Sequence, residues 1–218
     1  MPFIEISHTI RAGLRTYPGL PVPRVEVLID HDSSRERYDQ LAEFYIASLH
    51  LCGNTGTYVD SPFHRHRDGA DLAALPLERL AHLPTRVFDA RGWGRGIGPE
   101  RFAGEDLRGA AVLFRTDWSK HWGTEAYFGP NPFLSARACE ALVQAGVAFV
   151  GIDSLNIDDT ADLSRPAHTL LLGAGIPVCE HLRGLDAVPE AGGRLHAVPI
   201  AWEGGATFPV RAYVMTGE

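Results

Sequence analysis

Residues 3–10 (FIEISHTI) alternate apolar and polar side chains, and that period of two predicts a strand. The same reading predicts strands over 24–29, 41–51, 85–90, 147–152, 176–180, 194–200 and 209–215. Residues 110–116 (AAVLFRT) are apolar almost throughout, which marks a strand covered on both faces and so central in its sheet. Helical periodicity is rarer. Ser135 precedes Ala138, Ala141, Leu142 and Ala145 on one face, with Gly146 as the stop. Residues 75–80 predict a short helix begun by Pro76, and 169–173 a helix closed by Gly175. The polar runs 31–40 and 158–168 read as loops. The strand–helix–strand order over 110–152 places the chain in the α/β class, rich in strands, with about eight to ten strands and two or three main helices. No repeat or linker divides it, so one domain over 1–218 is expected.

The densest chemistry lies in Gly53-Asn54-Thr55-Gly56-Thr57-Tyr58-Val59-Asp60-Ser61-Pro62-Phe63-His64-Arg65-His66. Gly53, Gly56 and Pro62 shape the backbone there. If 57–60 is extended, Tyr58 and Asp60 project from one face, and Pro62 turns His64 back towards it. A carboxylate and an imidazole so placed suit metal binding or proton transfer. Two tryptophans, Trp118 and Trp122, follow the central strand and suggest a pocket wall. His50 reads as a hydrogen-bonded strand residue, and residues 91–99 hold four glycines without a dinucleotide fingerprint.

The net charge of −7 argues against a nucleic-acid partner. No apolar run reaches membrane-spanning length, and the N-terminal residues lack the pattern of a signal peptide. Cys52, Cys139 and Cys179 are odd in number and scattered, without zinc or disulfide spacing. The expectation is a cytoplasmic protein with a small-molecule substrate and no membrane or nucleic-acid partner.

Residues 56–64 resemble the signature of the cyclase family, His-x-Gly-Thr-His-x-Asp-x-Pro-x-His, which includes bacterial kynurenine formamidases and isatin hydrolases. Arg115-Thr116-x-Trp118 and Gly151-Ile152-Asp153-Ser154 are similar to further family motifs, so the likeness spans nearly the whole chain. The resemblance implies a swivelling β/β/α fold and a homodimer or homotetramer. It also implies a hydrolase of the C–N bond in a small aromatic amide, formamide or lactam. Asp60 matches a metal ligand and His64 the catalytic histidine. His168, preceded by Pro-Ala, and Glu180, twelve residues later, match the rest of the metal site. Tyr17, before Pro-Gly, stands where an aromatic residue lines the substrate pocket.

Two departures matter. Asn54 and Tyr58 occupy positions where the family places metal-binding histidines. One reading keeps a single divalent ion, zinc or manganese, on Asp60, His168 and Glu180, with His64 as general acid and base. A second dispenses with metal. Tyr58 and Asn54 then hold a carbonyl or oxyanion and His64, oriented by Asp60 or Glu180, moves the proton, as in a metal-free hydrolase, or a cyclase or dehydratase of secondary metabolism. A third is a non-catalytic small-molecule binding protein on the same fold.

Overall fold

The computed structural model describes residues 2–217. In chain order the elements are β1 (Phe3–Glu5), β2 (Arg24–Ile29), α1 (His31–Arg37), β3 (Ile46–His50), β4 (Tyr58–Asp60), β5 (Leu83–Asp89), β6 (Gly96–Ile97), β7 (Ala111–Arg115), β8 (Phe133–Leu134), α2 (Ala136–Ala145), β9 (Phe149–Ile152), α3 (Pro166–Gly173), β10 (Val178–Glu180), β11 (Ala191–His196), β12 (Thr207–Pro209) and β13 (Tyr213–Met215). Nine strands form one mixed sheet in the order β1-β13-β11-β5-β7-β9-β10-β4-β12. The steps β5-β7-β9-β10 are parallel and the others antiparallel. The apolar run at β7 therefore does lie at the sheet centre.

Alternation along β7 divides the core. Ala111 and Leu113 join Phe149, Val59 and Cys179 on one face, where Leu72, Leu75 and Leu80 from the loops cover them. Val112 and Phe114 join Val150 and Ile152 on the other, under Ala138 and Leu142 of α2 and Leu171 and Leu172 of α3. Ser135 caps α2 by accepting from Ala138 N, and Gly146 closes it at φ 70°.

Several boundaries differ from expectation. The strand expected over 3–10 stops at Glu5, and the one expected over 41–51 starts at Ile46. The final stretch, expected to hold one strand from 209 to 215, contributes Thr207–Pro209 to one edge of the sheet and Tyr213–Met215 near the other. The run 31–40 contains a helix where a loop was expected. Asp30 caps it by accepting from Ser33 N at 2.7 Å, and Asp32 in the first turn with Arg35 and Arg37 in the last complement its dipole. Among the described residues β2 and β3 pair only with each other, in a two-stranded ribbon. Val25, Val27, Ile46 and Leu49 on this ribbon are each about half exposed.

Candidate active site

β4 lies between β10 and β12, which fixes the floor of a cleft. The β4–β10 register sets Tyr58 opposite Glu180 and Asp60 opposite Val178. Tyr58 and Asp60 then share the face opposite Val59, which goes into the core. Close approach makes this possible: a Cβ on Gly53 would meet the Thr207 backbone oxygen at 2.4 Å. After Asp60, Pro62–His64 forms a turn of 3-10 helix that returns His64 Nε2 to 4.0 Å from Asp60 Oδ1. The expected geometry of the 57–64 stretch is thus present.

His168 arrives from α3, which begins at Pro166, three residues earlier than expected. Asp158, fully buried, accepts from Ala167 N at 2.6 Å and His168 N at 3.2 Å, so it caps α3 from a distance. The same carboxylate holds His168 Nδ1 at 2.5 Å. Nε2 is thereby turned inward, 3.7 Å from both Asp60 Oδ2 and Glu180 Oε1. Burial opposes charge on this imidazole, but the hydrogen bond to Asp158 and the nearby Asp60 and Glu180 carboxylates outweigh it and push His168 up to about 10.

Glu180 is buried, and both its oxygens are engaged: Oε1 accepts from Ile157 N at 2.7 Å and Oε2 from Tyr58 Oη at 2.5 Å. Burial pushes its carboxyl up to about 7, against the lowering influence of His168. Burial, then the charges of Glu180 and Asp60, push the Tyr58 phenol well above its ordinary range, so it is a neutral donor. Behind it His181 Nε2 lies 3.3 Å from Tyr58 Oη, and Tyr127 Oη lies 2.8 Å from His181 Nδ1. Burial holds His181 down to about 3, hence neutral. Since Tyr58 donates to Glu180, the bonds run Tyr127 to His181 to Tyr58 to Glu180.

Asp60 is the exception. It is fully buried, and among the described residues neither carboxylate oxygen has a hydrogen-bond partner. One ligand atom each from Asp60, His64 and His168 lies within 4.8 Å of the others. A desolvated, orphaned carboxylate needs a positive charge beside it. Asp60 Oδ2 and Glu180 Oε1, each 3.7 Å from His168 Nε2, make an oxygen-and-imidazole set that fits one divalent cation of the zinc or manganese kind, with the His64 imidazole at its edge. The side lined by Asn54 and Tyr58 offers only a carboxamide and a neutral phenol, and Asn54 Oδ1 already accepts from Thr207 Oγ1 at 3.1 Å.

The cleft above this floor measures about 370 Å³, and Tyr17, Asn54, Tyr58, His64, His168 and Glu180 all line it. Trp118 is elsewhere: its Nε1 donates to Tyr127 O at 3.0 Å and its ring packs edge-on to His121. Four further contributors were not singled out from the sequence: Asp158, Asn156, Arg65 and Arg165. Asp158 carried one signal, a carboxylate shortly before a Pro-initiated helix; the others carried none.

Residues 4–159 match the family model described as "Putative cyclase". The kynurenine formamidase of Salinibacter ruber is 31% identical over 213 residues, covering 97% of this chain and 96% of the relative. Among solved structures, isatin hydrolase A from Ralstonia solanacearum superposes with a TM-score of 0.86 at 25% identity, covering 99% of this chain and 92% of that one. A structure described as a potential metal-dependent hydrolase with cyclase activity superposes at 0.81 and 26% identity, covering 100% and 98%.

Proposed function

The chain belongs to the cyclase family, and on that premise we propose that it hydrolyses the C–N bond of a small aromatic formamide or lactam, as an arylformamidase-like enzyme. The observation that carries this reading is the orphaned Asp60 carboxylate, flanked by His64 and His168 at the floor of a cleft sized for one substituted ring. Asp60, His168 and Glu180 would hold one divalent ion. When bound, such an ion polarises a carbonyl and acidifies water. His64, the most exposed member of the group, accepts the proton of the attacking water. It then returns that proton to the departing nitrogen as the C–N bond breaks, so the products are a carboxylate and an amine. Tyr58 spends its proton on Glu180 and so fixes that carboxylate in place. Tyr17 and Asn54 would hold the ring and the carbonyl.

One observation favours a second, metal-free reading. His168, charged at neutral pH and 3.7 Å from both Asp60 and Glu180, already supplies a cation to the floor. His64 chemistry without an ion then suits a metal-free hydrolase, or cyclisation or dehydration. Elemental analysis of purified protein, followed by turnover of an arylformamide and lactam panel with and without chelator, separates the readings. Stoichiometric metal and chelator-sensitive hydrolysis support the first, and chelator-resistant turnover the second. Tight ligand binding with no turnover of any panel member means a binding protein and overturns both.

We also propose a homodimer or homotetramer in the cytoplasm. The half-exposed apolar ribbon of β2 and β3 supports association, since a lone two-stranded ribbon is marginal in water. A monomeric mass by light scattering at micromolar concentration would contradict it. Three free cysteines suit a reducing compartment. Among the described residues no helix is long and apolar enough to cross a membrane.

A further inference from the structure

The loop after β9 brings three consecutive residues to the floor of the cleft. Asp158 holds His168 Nδ1, and Ile157 N donates to Glu180 Oε1 at 2.7 Å. Asn156, just before them, is buried and lines the cleft. The sheet explains why it arrives there. β9 runs parallel to β10 and β4 antiparallel to it, so the end of β9, the end of β10 and the start of β4 meet at one edge. Asn54 leads into that start of β4, and Asn156 follows that end of β9. Two carboxamides therefore enter the cleft from strands on either side of the one that carries Glu180.

Asn156 is held from several sides. Its backbone oxygen accepts from Asn131 Nδ2 at 2.7 Å and from Ser154 Oγ at 3.0 Å. Its side-chain Oδ1 accepts from Asp158 N at 3.0 Å, in the two-residue turn that asparagine favours. A backbone N–H as partner fixes which end of the amide is oxygen. Nδ2 is the other end, with two N–H donors. Among the described residues it has no hydrogen-bond partner, and it is not sealed from the cleft as the Asp60 oxygens are. The other groups of the floor have duties of their own. Tyr58 donates to Glu180, His168 Nε2 stands between two carboxylates, and His64 accepts the proton of water. A carbonyl oxygen that takes on negative charge beside Asp60 and Glu180 needs a donor already in place.

We infer that Asn156 is a further catalytic residue: its Nδ2 joins Asn54 on the substrate carbonyl oxygen, and its hydrogen bond strengthens as that oxygen becomes an oxyanion. Water adds to the carbonyl carbon, its proton passes to His64, and the C=O π pair moves onto oxygen. When that pair returns, the C–N bond breaks and His64 delivers the proton to nitrogen. The catalytic step rests on the proposed function; the hydrogen bond to a bound carbonyl does not.

Two variants of the full chain separate a donor from a support for the loop. Asn156→Asp keeps an oxygen for Asp158 N and removes the N–H donors, whereas Asn156→Ala removes both; each is checked for native circular dichroism. With formanilide, either variant should lower kcat by about 10²–10³ and leave KM within about threefold. Thioformanilide, whose sulfur is a weak acceptor, should lose about tenfold less, because there is less of a bond to remove. A binding arm uses acetanilide isotope-labelled in its carbonyl. The infrared carbonyl stretch should lie at lower frequency on the wild type than on either variant. The inference is overturned if Asn156→Asp keeps the turnover that Asn156→Ala loses, since the side chain would then only support the loop. Equal losses for formanilide and thioformanilide overturn it too, as does a carbonyl stretch that is the same on all three proteins. If Asn156→Ala does not fold, Asn156→Asp decides through the sulfur comparison and the stretch. A wild type that turns over neither anilide, with the stretch still dependent on Asn156, would sink the proposed function and uphold the hydrogen bond. An active wild type whose variants both keep more than about a third of its kcat would do the opposite.

Discussion

Tyr58→Phe removes one oxygen from a pair that is almost wholly buried. Tyr58 is 2% exposed and Glu180 1%. The phenol donates to Glu180 Oε2 at 2.5 Å and lies 3.3 Å from His181 Nε2. Phenylalanine keeps the ring, so packing changes little, and the cost is electrostatic. A hydrogen bond to a charged group is worth about 1.5–3 kcal/mol, and one between neutral groups about 1 kcal/mol. Which figure applies depends on the charge of Glu180, whose carboxyl burial has pushed up to about 7. The Tyr58 bond stabilises the carboxylate form and so opposes that rise. The loss on substitution should therefore be about 2–3 kcal/mol at pH 8.5, where the wild-type group is ionised. It should fall towards 1 kcal/mol at pH 5.5, where Glu180 is protonated in both proteins. Urea denaturation of chelator-treated protein at the two pH values measures this. At roughly 2–4 °C per kcal/mol, the melting temperature should drop by about 4–12 °C at the higher pH. A loss below about 0.5 kcal/mol at both pH values, or a larger loss at pH 5.5, would refute the assignment of a neutral phenol donating to an ionisable Glu180.

Replacing His64 by alanine should lower turnover by about 10²–10⁴ without unfolding the protein, and a variant keeping more than roughly a tenth of wild-type turnover would remove His64 from proton transfer. Asn54→His combined with Tyr58→His should raise zinc or manganese stoichiometry in elemental analysis, because it adds two imidazoles to a wall that now offers a carboxamide and a neutral phenol; two tightly bound ions in the wild type would contradict the single-ion reading. His8, stacked on Trp122 at 3.9 Å, is held down from 6.5 to about 4 by burial and then by Arg183. Its contribution to stability is complete above pH 6.5 and is lost as pH falls through about 4, a change on the order of 3 kcal/mol. His8→Phe should flatten the wild-type stability profile between those pH values, and an unchanged acid limb would exclude His8 as its source.

The elements most legible in the sequence are those whose physics is local. Ser135 and Gly146 bound α2 because capping needs only a hydroxyl and a residue that tolerates positive φ. β7 reads as central because a strand covered on both faces must be apolar on both. The helix His31–Arg37 was harder to see because its apolar face is missing: only Ser34 is buried, and the Asp30 cap and end charges supply the remaining signal. The 209–215 stretch misleads for another reason. A break between Pro209 and Tyr213 sends its two halves to distant strands, Thr207–Pro209 onto β4 and Tyr213–Met215 between β1 and β11, and hydropathy does not encode which neighbour a strand will find.

The site divides in the same way. Tyr58, Asp60 and His64 meet because strand alternation and a proline turn, both local rules, bring them together. His168 and Glu180 were reached through resemblance, and register explains why that works: Glu180 pairs opposite Tyr58 on the neighbouring strand. Asp158 and the two arginines obey neither kind of rule. Asp158 matters because it holds His168 Nδ1 at 2.5 Å, a fact of tertiary packing. Arg65, exposed, and Arg165, half-buried, are charges of the sort that usually belong to a solvated surface, and their common cleft, 100 residues apart in the chain, distinguishes them. The chemistry that breaks a bond is therefore written into short stretches of this chain. The packing that holds those groups in place is assembled from side chains that the sheet and α3 bring together late. Substitutions at 60 and 64 should on that account change whether a bond is broken, whereas a substitution at 158, which acts through His168 Nδ1, should change how firmly the floor is held.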